Sequence, residues 1–249
     1  MIFQAHRGVC TECPENTMPA FETAVAQGYP IIELDLEFTK DQQLVVLHDK
    51  TINRTARDSR DQKPEEPIYI WDITYEEALS YDFGLWFSEA YRGTKIPLFS
   101  EVLEFARQKG VRLKIDNKYQ RFTPQQQEML FAMLEPYTDL ACLTCSTVEA
   151  VQQAHSRFPD MFFHYDGLVS AEILQQLQSF LKPQQLAVWL PLECPGTAWV
   201  KTGFATKEKA EAIKACASLG IWILSTPEQL QAAEELGADI VETPGQLKP

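Results

Sequence analysis

The sequence has no apolar run long enough to cross a membrane, and it carries too little positive charge for a polyanionic partner. No stretch of roughly 18 apolar residues occurs, the length that a bilayer-spanning helix needs. Lysine and arginine number 22 against 35 aspartates and glutamates, which gives a formal net charge of −13. Because nucleic acids and anionic membrane surfaces attract basic patches, this balance argues against both as partners. A phosphate ligand then requires a local cation, supplied by a side chain or a metal.

The chain also lacks a charged-then-apolar leader and a cysteine spacing typical of zinc sites. It begins with Met1 and enters a strand-like segment at once, so we expect a cytoplasmic protein. The six cysteines include two C-x-x-C pairs, Cys10 with Cys13 and Cys142 with Cys145. The second pair lies in a strand-like run, where a spacing of three places the side chains on opposite faces. The gap between the pairs does not match a zinc ribbon, so free thiols in a reducing compartment are expected.

Short apolar runs alternate with amphipathic stretches along most of the chain, which is the pattern of strand–helix units in a parallel sheet. Eight strands are predicted, at 2–6, 31–37, 111–118, 140–145, 161–165, 186–191, 221–225 and 239–242. Helices are predicted between them, at 18–27, 99–109, 124–134, 148–157, 171–181, 207–219 and 227–236. This favours a closed (β/α)₈ TIM barrel, with residues 1–249 as a single domain. A doubly wound open sheet is the alternative, but the glycine-rich turn expected after its first strand is absent.

One region departs from the alternation of strands and helices. After a turn at 39–42, residues 44–48 predict a strand that returns beside the second one. The stretch from 50 to 97 is first polar and then rich in aromatic residues, with a short helix predicted near 75–81. We interpret it as a small insertion after the second strand that caps the barrel mouth. A packed excursion with no part in substrate binding is equally compatible with the sequence.

Charged side chains alternate with aliphatic ones on two of the predicted strands. The charged positions are Glu33, Asp35 and Glu37 on one strand, and Arg112, Lys114, Asp116 and Lys118 on the next. Because side chains alternate in direction along a strand, each set shares one face. The aliphatic face packs under the helices, so the charged face must look into the barrel or its mouth. Asp35, Asp116 and Lys118 fall at the carboxyl ends of their strands, where barrel enzymes carry catalytic groups.

A series of short motifs runs through the first half of the chain in a fixed order. His6-Arg7-Gly8 is followed by Pro14-Glu15-Asn16-Thr17, then by Glu33-x-Asp35, by His48-Asp49 and by Ile115-Asp116-Asn117-Lys118. This series resembles the glycerophosphodiester phosphodiesterase family, strongly over the first half and weakly over the second. The resemblance implies a barrel with an inserted cap, a divalent cation, and hydrolysis of glycerophosphodiesters to glycerol 3-phosphate and an alcohol. Such hydrolases serve phospholipid and glycerol metabolism.

Two of the departures from the family pattern concern candidate site residues. The family usually has glutamate where Asp116 stands, so the metal geometry is expected to differ. The late Trp-Thr-Val-Asn segment of the family appears here as Trp222-Ile223-Leu224-Ser225. The catalytic half is intact, so we expect these changes to alter the leaving-group or headgroup specificity rather than the chemistry.

The acidic trio and the two histidines carry the predicted chemistry. Glu33, Asp35 and Asp116 form an oxygen-rich set suited to Mg²⁺ or Ca²⁺. The alternative for these carboxylates is a salt-bridge network with the neighbouring lysines and arginine. We expect His6 and His48 to flank the phosphate. One histidine takes the proton of the attacking hydroxyl, and the other protonates the departing alcohol.

Four further residues are predicted to bind substrate or phosphate. Arg7 can present a bidentate fork to phosphate oxygens, and Lys118 offers a point charge. Glu15 is expected to orient Arg7 or a metal ligand. Trp222 is a candidate pocket wall, although core packing is the favoured explanation for it. His164, at the end of a predicted strand, and the loop 195–204 with Trp199 and Lys201 are weaker candidates for the barrel mouth.

Two other functions remain compatible with the sequence. A related phosphodiesterase acting on lysophospholipids or phosphoinositides is one, and the aromatic insertion supports it. A catalytically inactive barrel that binds a polyol phosphate is the other, and it rests on the shorter carboxylate at Asp116 and on the altered late strands. The expected ligand in each case is a small molecule, without nucleic acid and without stable membrane association.

Overall fold

The computed structural model of the chain describes residues 1–192 and 203–249, so most of the predicted loop 195–204 lies outside the described residues. The strands are β1 (Ile2–His6), β2 (Ile31–Leu34), β3 (Leu36–Phe38), β4 (Leu44–Val46), β5 (Arg112–Ile115), β6 (Ala141–Cys145), β7 (Phe163–Tyr165), β8 (Leu186–Pro191), β9 (Ser218–Trp222) and β10 (Ile240–Thr243). The α-helices are α1 (Met18–Ala26), α2 (Tyr75–Ala78), α3 (Phe99–Lys109), α4 (Pro124–Leu134), α5 (Val148–Arg157), α6 (Ala171–Gln178), α7 (Lys207–Lys214) and α8 (Pro227–Glu235).

Eight of the strands close into a parallel barrel in the order β1-β10-β9-β8-β7-β6-β5-β2. This confirms the predicted (β/α)₈ architecture. The closure joins the two ends of the chain, since Gln4 of β1 lies opposite Glu242 of β10 and Ile31 of β2. All carboxyl ends therefore meet at one mouth, where side chains from distant parts of the sequence can form one site.

The helices cover the barrel because their apolar residues recur at helical spacing. In α3, for example, Phe99, Val102, Leu103 and Ala106 are buried against the strands. The first turn of α3 is held by Glu101, whose side chain accepts a hydrogen bond from the Leu98 backbone N–H at 2.9 Å. The bounds of α3, α4 and α5 are those that the sequence predicts.

The predicted strand 31–37 is divided in the structure. Its first part, β2, belongs to the barrel, and its second part, β3, pairs antiparallel with β4. This pairing confirms the predicted return strand. The insertion that follows has its own small core, formed by Val45, Leu47, Ile52, Ala56, Ile70, Ala78, Phe83 and Ile96. No helix among the described residues is long and apolar enough to span a bilayer.

The predicted strand at 221–225 corresponds to β9, and its bounds were wrong by three residues. The sequence predicts a helix at 207–219 and a strand at 221–225, whereas α7 ends at Lys214 and β9 begins at Ser218. The register explains the shift, because Gly220 lies opposite Trp189 of β8. A Cβ atom at Gly220 would lie 2.4 Å from the Trp189 indole. The pairing with β8 therefore depends on Gly220, a residue that by itself predicts the end of a helix.

Candidate active site

A cavity of about 190 Å³ opens at the carboxyl ends of the barrel strands. It is lined by His6, Arg7, Glu33, Asp35, His48, Lys114, Asp116, Asp166, Trp189, Trp222, Ile223 and Glu242. Seven of the nine predicted site residues are in this set. The other two, Glu15 and Lys118, lie directly beside it through their contacts with Arg7 and Asp35.

The loop after β1 turns sharply so that His6 and Arg7 both reach the cavity. Arg7 and Gly8 adopt left-handed backbone, with φ of 57° and 78°. The Arg7 backbone N–H donates to a carboxylate oxygen of Glu33 at 3.0 Å. A Cβ atom at Gly8 would lie 2.7 Å from that of Ala20, so helix α1 can approach this turn because residue 8 is glycine.

The three predicted metal ligands are brought together by β2 and β5. One oxygen each from Glu33, Asp35 and Asp116 lies within 4.8 Å of the others. Burial raises the pKa of Glu33 well above its usual value, and the charges of Asp35 and Glu242 raise it further. Burial acts the same way on Asp35, but the neighbouring Lys118 and Arg7 outweigh it and hold its pKa at about 2.

The cavity carries an excess of negative charge, which a divalent cation would balance. Among the described residues that line it, five are carboxylates and two, Arg7 and Lys114, are permanent cations. Lys118 adds a third cation from beside the cavity. Crowded carboxylates that are buried together are stable when protonated or when bound to a metal. The oxygen-only donor set fits a hard ion such as Mg²⁺ or Ca²⁺.

The two histidines stand in different surroundings. His6 is nearly buried, and its Nε2 atom lies 4.0 Å from carboxylate oxygens of both Glu33 and Glu242. Burial lowers the pKa of His6 to about 4, against the raising effect of Glu242. His48 is more open, and its Nδ1 atom lies 2.6 Å from Asp49. This contact orients the ring and leaves Nε2 as the nitrogen available to the cavity.

The predicted cations are engaged with carboxylates of the site. Arg7 donates to Glu15 at 2.9 Å and lies 3.3 Å from Asp35. Glu15 therefore contacts Arg7, as the sequence suggested. Lys118 donates to Asp35 at 2.6 Å and to the backbone carbonyl of His48 at 2.7 Å. Lys118 thus links the metal-ligand set to the segment that carries His48.

Sequence reasoning missed several residues that hold the site together. Arg54 of the insertion donates to Glu15 with two nitrogens at 2.7 Å and to Asp49 at 2.6 Å. Asn16 follows Glu15 in the second motif, and its side chain donates to Asp35 at 2.8 Å. Asn16 and Asp49 lie in motifs that the sequence shows, but their hydrogen-bond partners could not be read from the sequence.

Two interior residues were either missed or misplaced by the sequence analysis. Glu242 on β10 was not assigned to the site, and it accepts a hydrogen bond from Lys114 on β5 at 2.8 Å. Its strand β10 pairs with β1, which lies at the other end of the chain. The sequence of β10, Ile240-Val241-Glu242-Thr243, does not alternate between polar and apolar residues, so no strand pattern marks Glu242 as a site residue. His164 was expected at the mouth but is fully buried, where its Nδ1 atom accepts from the Trp189 indole at 2.8 Å. Trp189 and Trp222 both line the cavity.

Comparison with known proteins finds a matching family model and several relatives that are named glycerophosphodiester phosphodiesterases. The model of the glycerophosphoryl diester phosphodiesterase family matches residues 6–152, which is more than half of the chain. A glycerophosphodiester phosphodiesterase of Caldanaerobacter subterraneus is 39% identical over 114 residues, 46% of this chain and 44% of that protein. One from Bacillus altitudinis is 29% identical over 211 residues, 74% of this chain and 82% of that protein. The chain spans about half or less of the length of several curated relatives that it matches.

Solved structures share the barrel. A phosphodiesterase of Oleispira antarctica, in complex with the product sn-glycerol-3-phosphate, has a TM-score of 0.78 at 20% identity, over 99% of this chain and 94% of that chain. A glycerophosphodiester phosphodiesterase of Thermotoga maritima has a TM-score of 0.69 at 19% identity, over 99% of this chain and 95% of that chain. At this level of identity the likeness confirms the fold. The family model matches more than half of the chain, so this chain belongs to the glycerophosphoryl diester phosphodiesterase family.

Proposed function

We propose that this protein hydrolyses glycerophosphodiesters to glycerol 3-phosphate and an alcohol, with a divalent metal ion and two histidines at one site. The observation that carries the proposal is that His6, His48 and the three carboxylates line one cavity at the barrel mouth. Family membership supports the reaction class. The complex of the Oleispira antarctica phosphodiesterase with sn-glycerol-3-phosphate supports a small-molecule product of this kind.

In this proposal Glu33, Asp35 and Asp116 hold Mg²⁺ or Ca²⁺ through oxygen atoms. When bound, such an ion neutralises charge on the phosphodiester and polarises a phosphoryl oxygen. Lys118 and Asn16 both donate to Asp35 and fix the direction of its carboxylate. Arg7 lines the same cavity and presents its guanidinium to the remaining phosphate oxygens.

The histidines move the protons. A phosphodiester needs a base that takes the proton of the attacking hydroxyl and an acid that protonates the departing alcohol. His6 and His48 reach the cavity from β1 and from the segment after β4, so they approach a bound phosphate from separate elements. Asp49 fixes the ring of His48, and Arg54 in turn holds Asp49. Trp222 forms part of the wall around the substrate.

The proposal is tested with a panel of glycerophosphodiesters assayed for released glycerol 3-phosphate in Mg²⁺ or Ca²⁺. We expect turnover that is lost with EDTA. His6→Ala and His48→Ala should each lower kcat by about 10²- to 10⁴-fold, the usual contribution of a general acid or base. Full activity of both variants, or activity that EDTA does not change, would contradict the mechanism.

His155 offers a matched control for these substitutions. It lies in α5, where its ring packs against Phe163 and Phe180, away from the cavity. His155→Ala removes an imidazole without touching the proposed site. We expect it to retain the kcat of the unsubstituted protein, so that a loss confined to His6 and His48 reports the chemistry.

A further inference from the structure

A second cavity, which we call the rim groove, lies beyond the carboxyl ends of β2 and β5. Its volume is about 420 Å³, and it is lined by Glu37, Phe38, Lys50, Trp71, Arg121, Phe122 and Gln126. None of these residues belongs to the proposed catalytic set. Trp71 comes from the insertion and is 42% exposed, one of the few large apolar side chains that face solvent.

The rim groove adjoins the candidate active site along three segments of the chain. Glu37 follows Asp35 by two residues, Lys50 follows His48 by two, and Arg121 follows Lys118 by three. In extended backbone, two residues span about 6.6 Å, so Glu37 lies roughly one small molecule's length beyond Asp35. Lys118 donates hydrogen bonds to Asp35 and to the His48 carbonyl, so it lies where these three segments come together. A substituent on a phosphate held by the two histidines therefore has the rim groove within reach.

Aromatic rings form the apolar part of the rim groove. Phe38 and Phe122 pack edge to face, with ring centroids 4.9 Å apart. Trp71 stacks on Tyr69 at 5.0 Å, which fixes the indole plane. The Ile70 backbone N–H donates to the Lys50 carbonyl at 3.0 Å, so Trp71 and Lys50 are held in a fixed relation. The groove is thus a preformed surface with an aromatic face and a cationic neighbour.

The charges of the rim groove add up to a local positive excess. The buried carboxylate of Glu37 is paired with Arg121. The side-chain oxygen of Gln126 accepts from Thr123, and its nitrogen donates to Gln42. Lys50 is exposed and has no acidic partner among the described residues. Its ammonium repels a cationic headgroup and can donate to hydroxyl oxygens.

Resting on the proposed phosphodiesterase function, we propose that the rim groove binds the departing alcohol and selects an uncharged polyhydroxylated one over a cationic amino alcohol. The apolar face of a cyclic polyol packs on the Trp71 indole, while its hydroxyls accept from the Lys50 ammonium. A quaternary ammonium placed there meets the unpaired Lys50 charge. The ligand class is therefore the headgroup of an inositol-type or sugar-type glycerophosphodiester.

The test compares kcat/KM for glycerophosphoinositol and glycerophosphocholine, two soluble diesters that differ in the charge of the headgroup. We expect the unsubstituted protein to prefer the inositol diester. Lys50→Glu replaces repulsion of choline by attraction and should reduce this preference by about tenfold, the effect of one charge contact near a protein surface. Trp71→Ala should raise KM for the inositol diester more than for the choline diester.

Lys63→Glu is the matched control, because Lys63 is an exposed lysine of the same insertion that does not line the rim groove. It makes the same change in net charge and should leave the preference unaltered. Equal turnover of the two diesters, a preference for choline, or equal shifts in Lys50→Glu and Lys63→Glu would overturn the inference while the proposed function stands. Absence of turnover on both diesters would refute the proposed function and this inference with it.

Discussion

Two glycines near the start of the chain share left-handed backbone but differ in what surrounds them. Gly8 has φ of 78° and Gly28 has φ of 85°. A Cβ atom at Gly8 would meet Ala20 at 2.7 Å, whereas one at Gly28 would meet nothing within 4 Å. Gly8 thus satisfies two constraints, the turn that aims His6 and Arg7 and the close approach of α1.

Alanine substitution at these glycines separates the two constraints. Gly28→Ala should cost about 1 kcal/mol of unfolding free energy, because its strain is conformational alone. Gly8→Ala should cost about 1–3 kcal/mol more, because the turn or α1 must also shift. Urea denaturation of both variants measures the difference. Equal losses would mean that contact with Ala20 does not constrain the turn.

The sequence was informative about residues whose role depends on local pattern. The strand period placed Glu33, Asp35 and Asp116 on charged faces that look into the barrel or its mouth, and all three line the cavity. Glu242 could not be placed in the same way. Its hydrogen bond with Gln4 joins residues 238 positions apart, so it exists because the barrel closes. When two residues meet only because the barrel closes, the sequence around each residue does not indicate the pairing.

At the scale of elements, β5, β7 and β8 build a polar layer inside the barrel. The Lys114 ammonium lies 4.0 Å from the centre of the Trp189 ring, whose indole N–H donates to His164. Burial lowers the pKa of His164 well below its usual value, and Lys114 and Arg112 lower it further. His164 is therefore neutral in the folded protein and accepts the hydrogen bond through Nδ1.

The buried neutral histidine makes stability depend on pH. Below its unfolded pKa of 6.5, His164 binds a proton in the unfolded chain but not in the folded one. Stability should therefore fall with decreasing pH, by about 1.4 kcal/mol per unit from this group alone. His164→Gln keeps an acceptor for Trp189 and should flatten the pH dependence below 6.5. Urea denaturation above and below that pH tests this, with His155→Gln as the control. An unchanged slope in His164→Gln would contradict it.

The sequence predicted elements well where caps and periodicity agree. In α4, Thr123 and Gln126 form a capping box, and the predicted bounds are those observed. The prediction from sequence failed at β9. Gly220 and Ser218 are weak strand formers, so the pairing with β8 decides the structure there. The division of the second strand at Asp35 was equally hidden, because both halves keep the same alternation.

At the scale of the whole molecule, the acidic site lowers the stability of the folded protein when no metal is bound. Burial disfavours the charged form of Glu33, and the carboxylates around it repel that charge, so its pKa is raised. An ion that binds the folded state alone adds stability by mass action, about 2.7 kcal/mol at a concentration one hundred times its dissociation constant. We expect Mg²⁺ or Ca²⁺ to raise the Tm.

Glu33→Gln separates this effect from general salt stabilisation. It removes the ionisable carboxyl group while keeping the shape of the side chain, so the variant should be at least as stable as the unsubstituted protein in EDTA. It should also lose most of the rise in Tm with added metal. A rise of equal size in both proteins would place the stabilising ion elsewhere.

The central claim is that one cavity holds both a divalent ion and a phosphate between two histidines. A crystal structure with Mn²⁺ and glycerol 3-phosphate, recorded at the manganese absorption edge, tests it directly. The account predicts an anomalous peak among Glu33, Asp35 and Asp116, and a phosphate in contact with both His6 and His48. A manganese peak away from those carboxylates, or a phosphate that contacts neither histidine, would contradict it.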